Sequence, residues 1–447
     1  MGGLWGTSVG LSTDAQDIAR DVENTAGRWS SMYSRRQCRF LGGGSRFLTS
    51  TQFSAAGSVL GYLYQCRIAL LWTLRRARSQ GQAEFTVVIE GLDDVSFESD
   101  ASVTELLQTK HHVSRRGNLT DTSEDLWKTL RVWCDGWARG IVPHDSAFYL
   151  ITTAVAPAGS AAHYLRPSEE RCPEAALERL RAVARLRGNR SNSSAYDTLL
   201  CLADPDQSSL IGSVVVLDSV PAIDRLDDLI DSELTWAVEA GKRASLRQRL
   251  EAWWMGRVVA HLVAKEQAPI LSAEVTAQID DLREQFKRDN LPIDDDLLDA
   301  EIDFRDYQDR TFVRQLGLID VVGRGVVFAI KDYYRAYEQR SRWVREDLLL
   351  VGDLSRYEAR LVDEWDRRFE VMCRQLGADA AEDAKRRAAQ AVYQWVELDA
   401  NITIRPQCTE SFVTRGSFQM LADELKVGWH PDFADRLRRL LDEAVTS

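Results

Sequence analysis

The chain has 447 residues, 45% of them hydrophobic and 28% charged, with a formal net charge of -12. That is enough for two or three globular domains with real cores, and the acidic balance excludes a whole-chain basic footprint for nucleic acid. The seven cysteines form no C-x-x-C pair and are odd in number, which argues against both a zinc knuckle and a closed disulfide framework and for a reducing compartment.

Residues 1–49 carry Gly2-Gly3 and Gly42-Gly43-Gly44 with little periodicity and are expected to be a loosely ordered leader. Asp14, Asp17, Asp21 and Glu23 stand where a signal peptide has its apolar centre, and no run of 18 apolar residues occurs, so the expected location is the cytoplasm, away from the membrane. From Ala55 to about Ala77, Leu60, Tyr64, Ile68 and Leu71 recur at helical spacing. Gly57 and Gly61 are expected to admit a close neighbour, and Arg75, Arg76 and Arg78 suit the end of the helix dipole.

Three short strands are expected next, at Phe85 to Ile89, Val95 to Phe97 and Glu105 to Lys110. Ser123 to Trp137 reads as a helix, 148–154 as a buried strand, 173–187 as a helix, and IGSVVVLDSV as a further central strand. This order describes an α+β (α/β) domain over residues 50–220. It holds 17 Lys and Arg against 20 Asp and Glu, while residues 221–447 hold 33 against 44.

After Pro221 the pattern becomes mainly helical, with helices expected at 226–240, 243–264, 273–288 and 336–374, the last broken near Gly352. LIDVVGRGVVFAI at 318–330 reads as a hairpin turning on Gly323-Arg324-Gly325. Gly428-Trp429-His430-Pro431-Asp432 reads as a turn that buries Trp429, with His430 as a capping or hydrogen-bonding residue. No G-x-x-x-x-G-K-[ST] phosphate loop, H-E-x-x-H or G-x-S-x-G motif occurs, so a resident ATPase, a zinc protease and a serine hydrolase are not expected.

The chemistry-bearing stretch is VVIEGLDDVSFESDASVTELLQTKHHV, Val87 to Val113. Gln108 and Lys110 share a strand face, and the acids Glu90, Asp93 and Asp94 lie at a preceding strand end that pairing can bring beside them. Carboxylates facing a lysine suit metal-assisted phosphodiester hydrolysis, in which hard oxygen ligands hold Mg²⁺ (Mn²⁺ as the substitute) and the ammonium stabilises developing charge. Asp93 and Asp94 stay interchangeable at this level, because a one-residue slip of register swaps them. His111 and His112 face opposite sides, so at most one joins as an accessory.

AAGSVLGYLYQ, IEGLDDVSFE and LLQTKHH together resemble the double-stranded DNA endonuclease domain of the restriction-endonuclease-like PD-(D/E)xK superfamily found in CBASS and Lamassu-type anti-phage effectors. Tyr64-Gln65, Glu90 with Asp93-Asp94, and Gln108-x-Lys110 correspond to its motifs in turn. The neutral Gln108 resembles the Mrr-like branch. The resemblance implies a catalytic set of Glu90, Asp93, Asp94, Gln108 and Lys110, a metal held by Glu90, Asp94 and Gln108, and Gln65 positioning the site. YYRAYEQRSRWVREDLL, YEARLVDEWDRRF and RGSFQMLADELKVGWHPDF, within about 290–435, resemble the helical C-terminal domain of effectors in ABC-three-component systems. The first resemblance implies double-stranded DNA as substrate, and the second an ABC or SMC-type ATPase and a small middle subunit as partners in an oligomer or hetero-complex. The rival expectation is a non-catalytic DNA-binding or adaptor subunit of the same fold.

Overall fold

The computed structural model describes residues 56–79, 84–100, 102–111, 117–264, 268–377 and 379–437. The chain forms two compact units, 1–237 with 247–280, and 238–246 with 281–447. The expected leader at 1–49 and His112 lie outside the described residues.

The first unit is an α+β domain around a six-stranded mixed sheet of order β5-β4-β3-β2-β1-β6. Helix α1 (Ala56–Ser79) leads into β1 (Thr86–Ile89), β2 (Val95–Ser99) and β3 (Ser102–Lys110), an antiparallel meander. Helix α2 (Glu124–Ala138) then crosses to β4 (Ala147–Thr152), which pairs parallel with β3. After α3 (Ala161–Tyr164), α4 (Pro173–Leu186), α5 (Ser193–Cys201) and α6 (Asp204–Ser213), β5 (Val214–Leu217) pairs parallel with β4. These positions agree with the alternation read from sequence. The exception is β5, expected as central: it is an edge strand, and its four residues are apolar because all are buried.

Three more helices, α7 (Leu226–Glu233), α8 (Arg243–Val263) and α9 (Ser272–Gln285), come next, with a two-residue strand β6 (Ile270–Leu271) closing the far sheet edge against β1. The first unit therefore continues past the division expected at residue 220. The cause is burial: Arg67 of α1 holds Asp227 and Glu251, and Trp254 donates its indole N–H to the Cys66 carbonyl at 2.9 Å. Among the described residues Gly57 and Gly61 serve no close approach, since none of them lies within 4 Å of a Cβ built on either.

The second unit takes the first turn of α8 and the last turn of α9, and in its described part the further helices are α10 (Thr311–Leu318), α11 (Arg324–Arg345), α12 (Asp353–Leu376), α13 (Glu382–Leu398) and α14 (Ser411–Asp423). The hairpin expected at 318–330 is absent. Its first residue ends α10, and VVFAI begins α11. A five-residue apolar run fits strand and helix equally, and the residues downstream of it decide between them. Ala329, Ile330, Tyr333, Ala336, Arg340 and Trp343 are buried at helical spacing along one face. Gly323, at φ +61°, turns the chain into that helix, and Gly352, at φ +85°, makes the expected break before α12. Helix α14 lies so close on α11 that a Cβ at Gly416 would come 1.9 Å from the Asp332 carbonyl oxygen.

Candidate active site

The acids sit in the tight connection between β1 and β2. Glu90 takes a left-handed conformation (φ +58°), and its N–H donates to the Asp94 carbonyl at 3.0 Å. A Cβ at Gly91 would press on Val88 at 2.7 Å, so a glycine is needed there by close approach. Gln65, buried on α1, pins the connection from one side: its Nε2 donates to Glu90 Oε1 at 3.0 Å and to the Asp94 carbonyl at 2.6 Å.

Strand β3 sorts the remaining residues by parity. Glu105 accepts hydrogen bonds from Trp72 and Arg76 of α1, so the odd-numbered residues face α1. Leu106 packs in the core with Trp133 of α2, so Gln108 and Lys110 lie on the α2 side. The two neighbouring aspartates part company here. Asp94 Oδ2 accepts from the Thr109 N–H (2.7 Å) and Oγ1 (3.0 Å) on the α1 side, with Gln65 and Glu90. Asp93 Oδ2 accepts the Trp133 indole N–H at 2.5 Å on the α2 side, and its Oδ1 accepts the Asp94 N–H at 3.0 Å.

Asp93 therefore shares a face with Gln108 and Lys110, whereas the ligand set implied by resemblance, Glu90, Asp94 and Gln108, is divided between the two sides of β3. The register, Val95 opposite Leu107, sets this division. Asp93 is only 9% exposed, and burial pushes its carboxyl up to about 7. The Asp94 charge adds to the rise, while the Trp133 and Asp94 N–H groups and the Lys110 ammonium oppose it.

Among the described residues no group of three His, Cys, Asp or Glu side chains is arranged to hold a metal ion. On the Lys110 side the donors are instead the Asp93 carboxylate and the side-chain amide oxygen of the buried Gln108. Mg²⁺ ordinarily takes one or two carboxylates and keeps waters or substrate oxygens for the rest, so this set fits it. The Asp93 carboxylate, raised chiefly by burial and further by the Asp94 charge, is a group that a bound cation would relieve.

Of the accessory residues, His111 packs against Tyr64 with the rings tilted at 30° (centroids 4.7 Å apart) and accepts the Ile223 N–H at 3.4 Å, which is a packing role on the α1 side. Sequence reading missed two contributors. Trp133 orients Asp93 from 40 residues away. His261 of α8 lies between Ile89 and Ala268, with Nε2 3.1 Å from the Ile89 N–H and Nδ1 2.8 Å from the Ala268 carbonyl. The β1–β6 register, Thr86 with Leu271 and Val87 with Ile270, would put Ile89 opposite Ala268. The imidazole thus replaces a ladder bond one residue before Glu90. No local sequence signal announces this; a buried histidine 172 residues away in the chain becomes visible only through the pairing.

The expected turn at 428–432 is present in the second unit. Trp429 is fully buried, its backbone N–H donates to Gln315 Oε1 at 3.3 Å, and the Trp365 indole N–H donates to the Gly428 carbonyl at 2.8 Å. His430 accepts the Asp432 N–H at 3.1 Å through Nδ1, the hydrogen-bonding role expected of it. No helix among the described residues is long and apolar enough to cross a membrane.

No curated protein matches the chain in sequence. Residues 312–437, which run from α10 to beyond the Trp429 turn, match C-terminal domain 7 of the ABC-three component (ABC-3C) systems, and this match supports membership of such a system, with partner subunits in a complex.

Proposed function

We propose that the chain is the effector of an anti-phage system of the ABC-three component, Lamassu-like type: a metal-dependent DNA endonuclease whose first unit is restriction-endonuclease-like and whose second unit docks it to partner subunits, an ABC or SMC-type ATPase among them. It acts in the cytoplasm on double-stranded DNA. The observation that carries the reading is the buried Asp93 carboxylate on the same sheet face as Gln108 and Lys110, raised to about 7 and within reach of the lysine's charge.

Asp93 and the Gln108 carbonyl would hold Mg²⁺, with Glu90 and Asp94 next to them across the connection. When bound, the ion supplies a polarised water and neutralises phosphate oxygens. The chain's own residues do the rest. Trp133 fixes the Asp93 carboxylate, Thr109 and Gln65 keep Asp94 and Glu90 from turning away, and the Lys110 ammonium stabilises charge gathering on the phosphate.

Plasmid cleavage with Mg²⁺, with EDTA and with Lys110→Ala, each with and without the companion ATPase, tests this. Cutting that stops in EDTA and falls at least about 100-fold in the variant is expected, the scale of losing one charge-stabilising donor. Wild-type cutting by Lys110→Ala refutes the assignment. One observation favours the rival reading of a DNA-binding adaptor: each of the three acids is already hydrogen-bonded inside the chain. DNA retained in EDTA and never nicked, in any mixture, would establish that reading.

A further inference from the structure

Beside the acid cluster the first unit has a cleft of about 360 Å³. That is near the lower end of the roughly 300–1,000 Å³ of ligand pockets, enough for one nucleotide and too small for a duplex. Trp133 and Leu106 line it, and these are the residue that bonds Asp93 and the one two positions before Gln108 on the same strand face. Three large apolar side chains in its lining are exposed, Leu92 at 40%, Val132 at 37% and Ile141 at 48%. These three side chains share one concave patch, where they are available to an apolar face of a ligand.

The charge of the cleft is unusual for this chain. Arg131 and Arg139, two turns apart on and just after α2, both line it, and neither guanidinium has an ion-pair or hydrogen-bond partner among the described residues. Most arginines of the first unit are paired, as Arg67, Arg75, Arg76, Arg166 and Arg247 are. Asp135 is the one acid in the lining, so the cleft keeps a net positive charge in a protein of net charge -12. Apolar walls for a flat ring, with two free guanidinium groups for phosphate oxygens, match the chemistry of a nucleotide.

We propose that this cleft is a nucleotide subsite, which holds one base against Leu92, Val132 and Ile141 and the adjoining phosphates on Arg131 and Arg139, next to the bond hydrolysed at the acid cluster. The proposal rests on the nuclease reading. It gives the DNA strand a register on the α2 side of β3, the side of Asp93, Gln108 and Lys110, and it supplies positive charge that the acids lack.

Equilibrium binding of the full chain to a fluorescent DNA duplex in EDTA, over a series of salt concentrations, separates the parts. Arg131→Gln with Arg139→Gln should weaken binding at least about tenfold and lower the log–log salt slope by about two, as loss of two phosphate contacts requires. Val132→Asn with Ile141→Asn, which removes the apolar contact without adding charge, should weaken binding while leaving the slope unchanged. All four side chains are exposed, and Arg131→Lys with Arg139→Lys should restore most of the affinity, so a folding defect is recognisable. If the wild type binds and cuts DNA and both double variants match it, the subsite is refuted and the nuclease reading stands. If the wild type neither binds nor cuts, both fail together. Loss of partner-subunit binding with DNA affinity intact would also overturn the subsite, making the cleft a protein-docking face.

Discussion

Replacing Asp93 by Asn in metal-free buffer probes the electrostatics of the site without any assumption about catalysis. The Asp93 carboxyl is raised from an ordinary 3.8 to about 7, so between those values the folded chain keeps a proton that the unfolded chain has released. Folding is therefore favoured at low pH; this contribution is lost as pH climbs from about 4 to about 7 and stays lost above it, the reverse of an ordinary salt-bridged aspartate. At about 1.4 kcal/mol per tenfold change in proton affinity, the full penalty is about 4 kcal/mol, and about 3 kcal/mol of it falls between pH 5 and pH 8. Asparagine cannot ionise, and it offers one carbonyl where aspartate accepts from both Trp133 and Asp94, which costs about 1–3 kcal/mol at every pH. Hydrogen exchange of the β2 and β3 amides in EDTA reads the opening free energy of this unit. The difference between variant and wild type should move in favour of the variant by about 3 kcal/mol from pH 5 to pH 8. Parallel pH profiles, differing by a constant, would refute the claim that Asp93 is strained by burial and by Asp94.

Gly416→Ala places a methyl group 1.9 Å from the Asp332 carbonyl oxygen, so α14 must move off α11. A loss of about 3 kcal/mol is expected, at the upper end of core overpacking, and an unchanged melting temperature would show that the contact is slack. His261→Phe leaves the Ile89 N–H and the Ala268 carbonyl without their imidazole partner in a buried place; about 1–3 kcal/mol for each group should be lost. Because Glu90 is next to Ile89, that variant should also bind Mg²⁺ more weakly by calorimetry, whereas unaltered metal affinity would reduce His261 to a stabilising role.

Much of the sheet was legible because alternation and turn residues are local signals. Val95, Phe97 and Gln108 lie on strands as their neighbours imply, and Gln65 of α1 donates to Glu90. The identity of the aspartate facing Lys110 was not legible. Adjacent residues exchange faces with any slip of register, and the tie that decides it, from the Trp133 indole, spans 40 residues. The 318–330 run misled for a related reason: period cannot be measured within five apolar residues, and the helical face emerges only by Trp343. Strand β6, two residues long, is too short to carry any pattern.

The segment Val238–Leu246 belongs with Asp281–Ser447 although residues of the first unit flank it on both sides. The polypeptide accordingly passes between the units at three joints, and no single cut releases either one. A fragment begun at Asp281 forfeits the Lys242 ammonium that caps the Phe286 carbonyl at 2.8 Å, and the Ser245 hydroxyl bound to Glu346. Exchanging one half of the chain for that of another by a single crossover in the gene would sever those ties, so a working chimera has to match three seams at once.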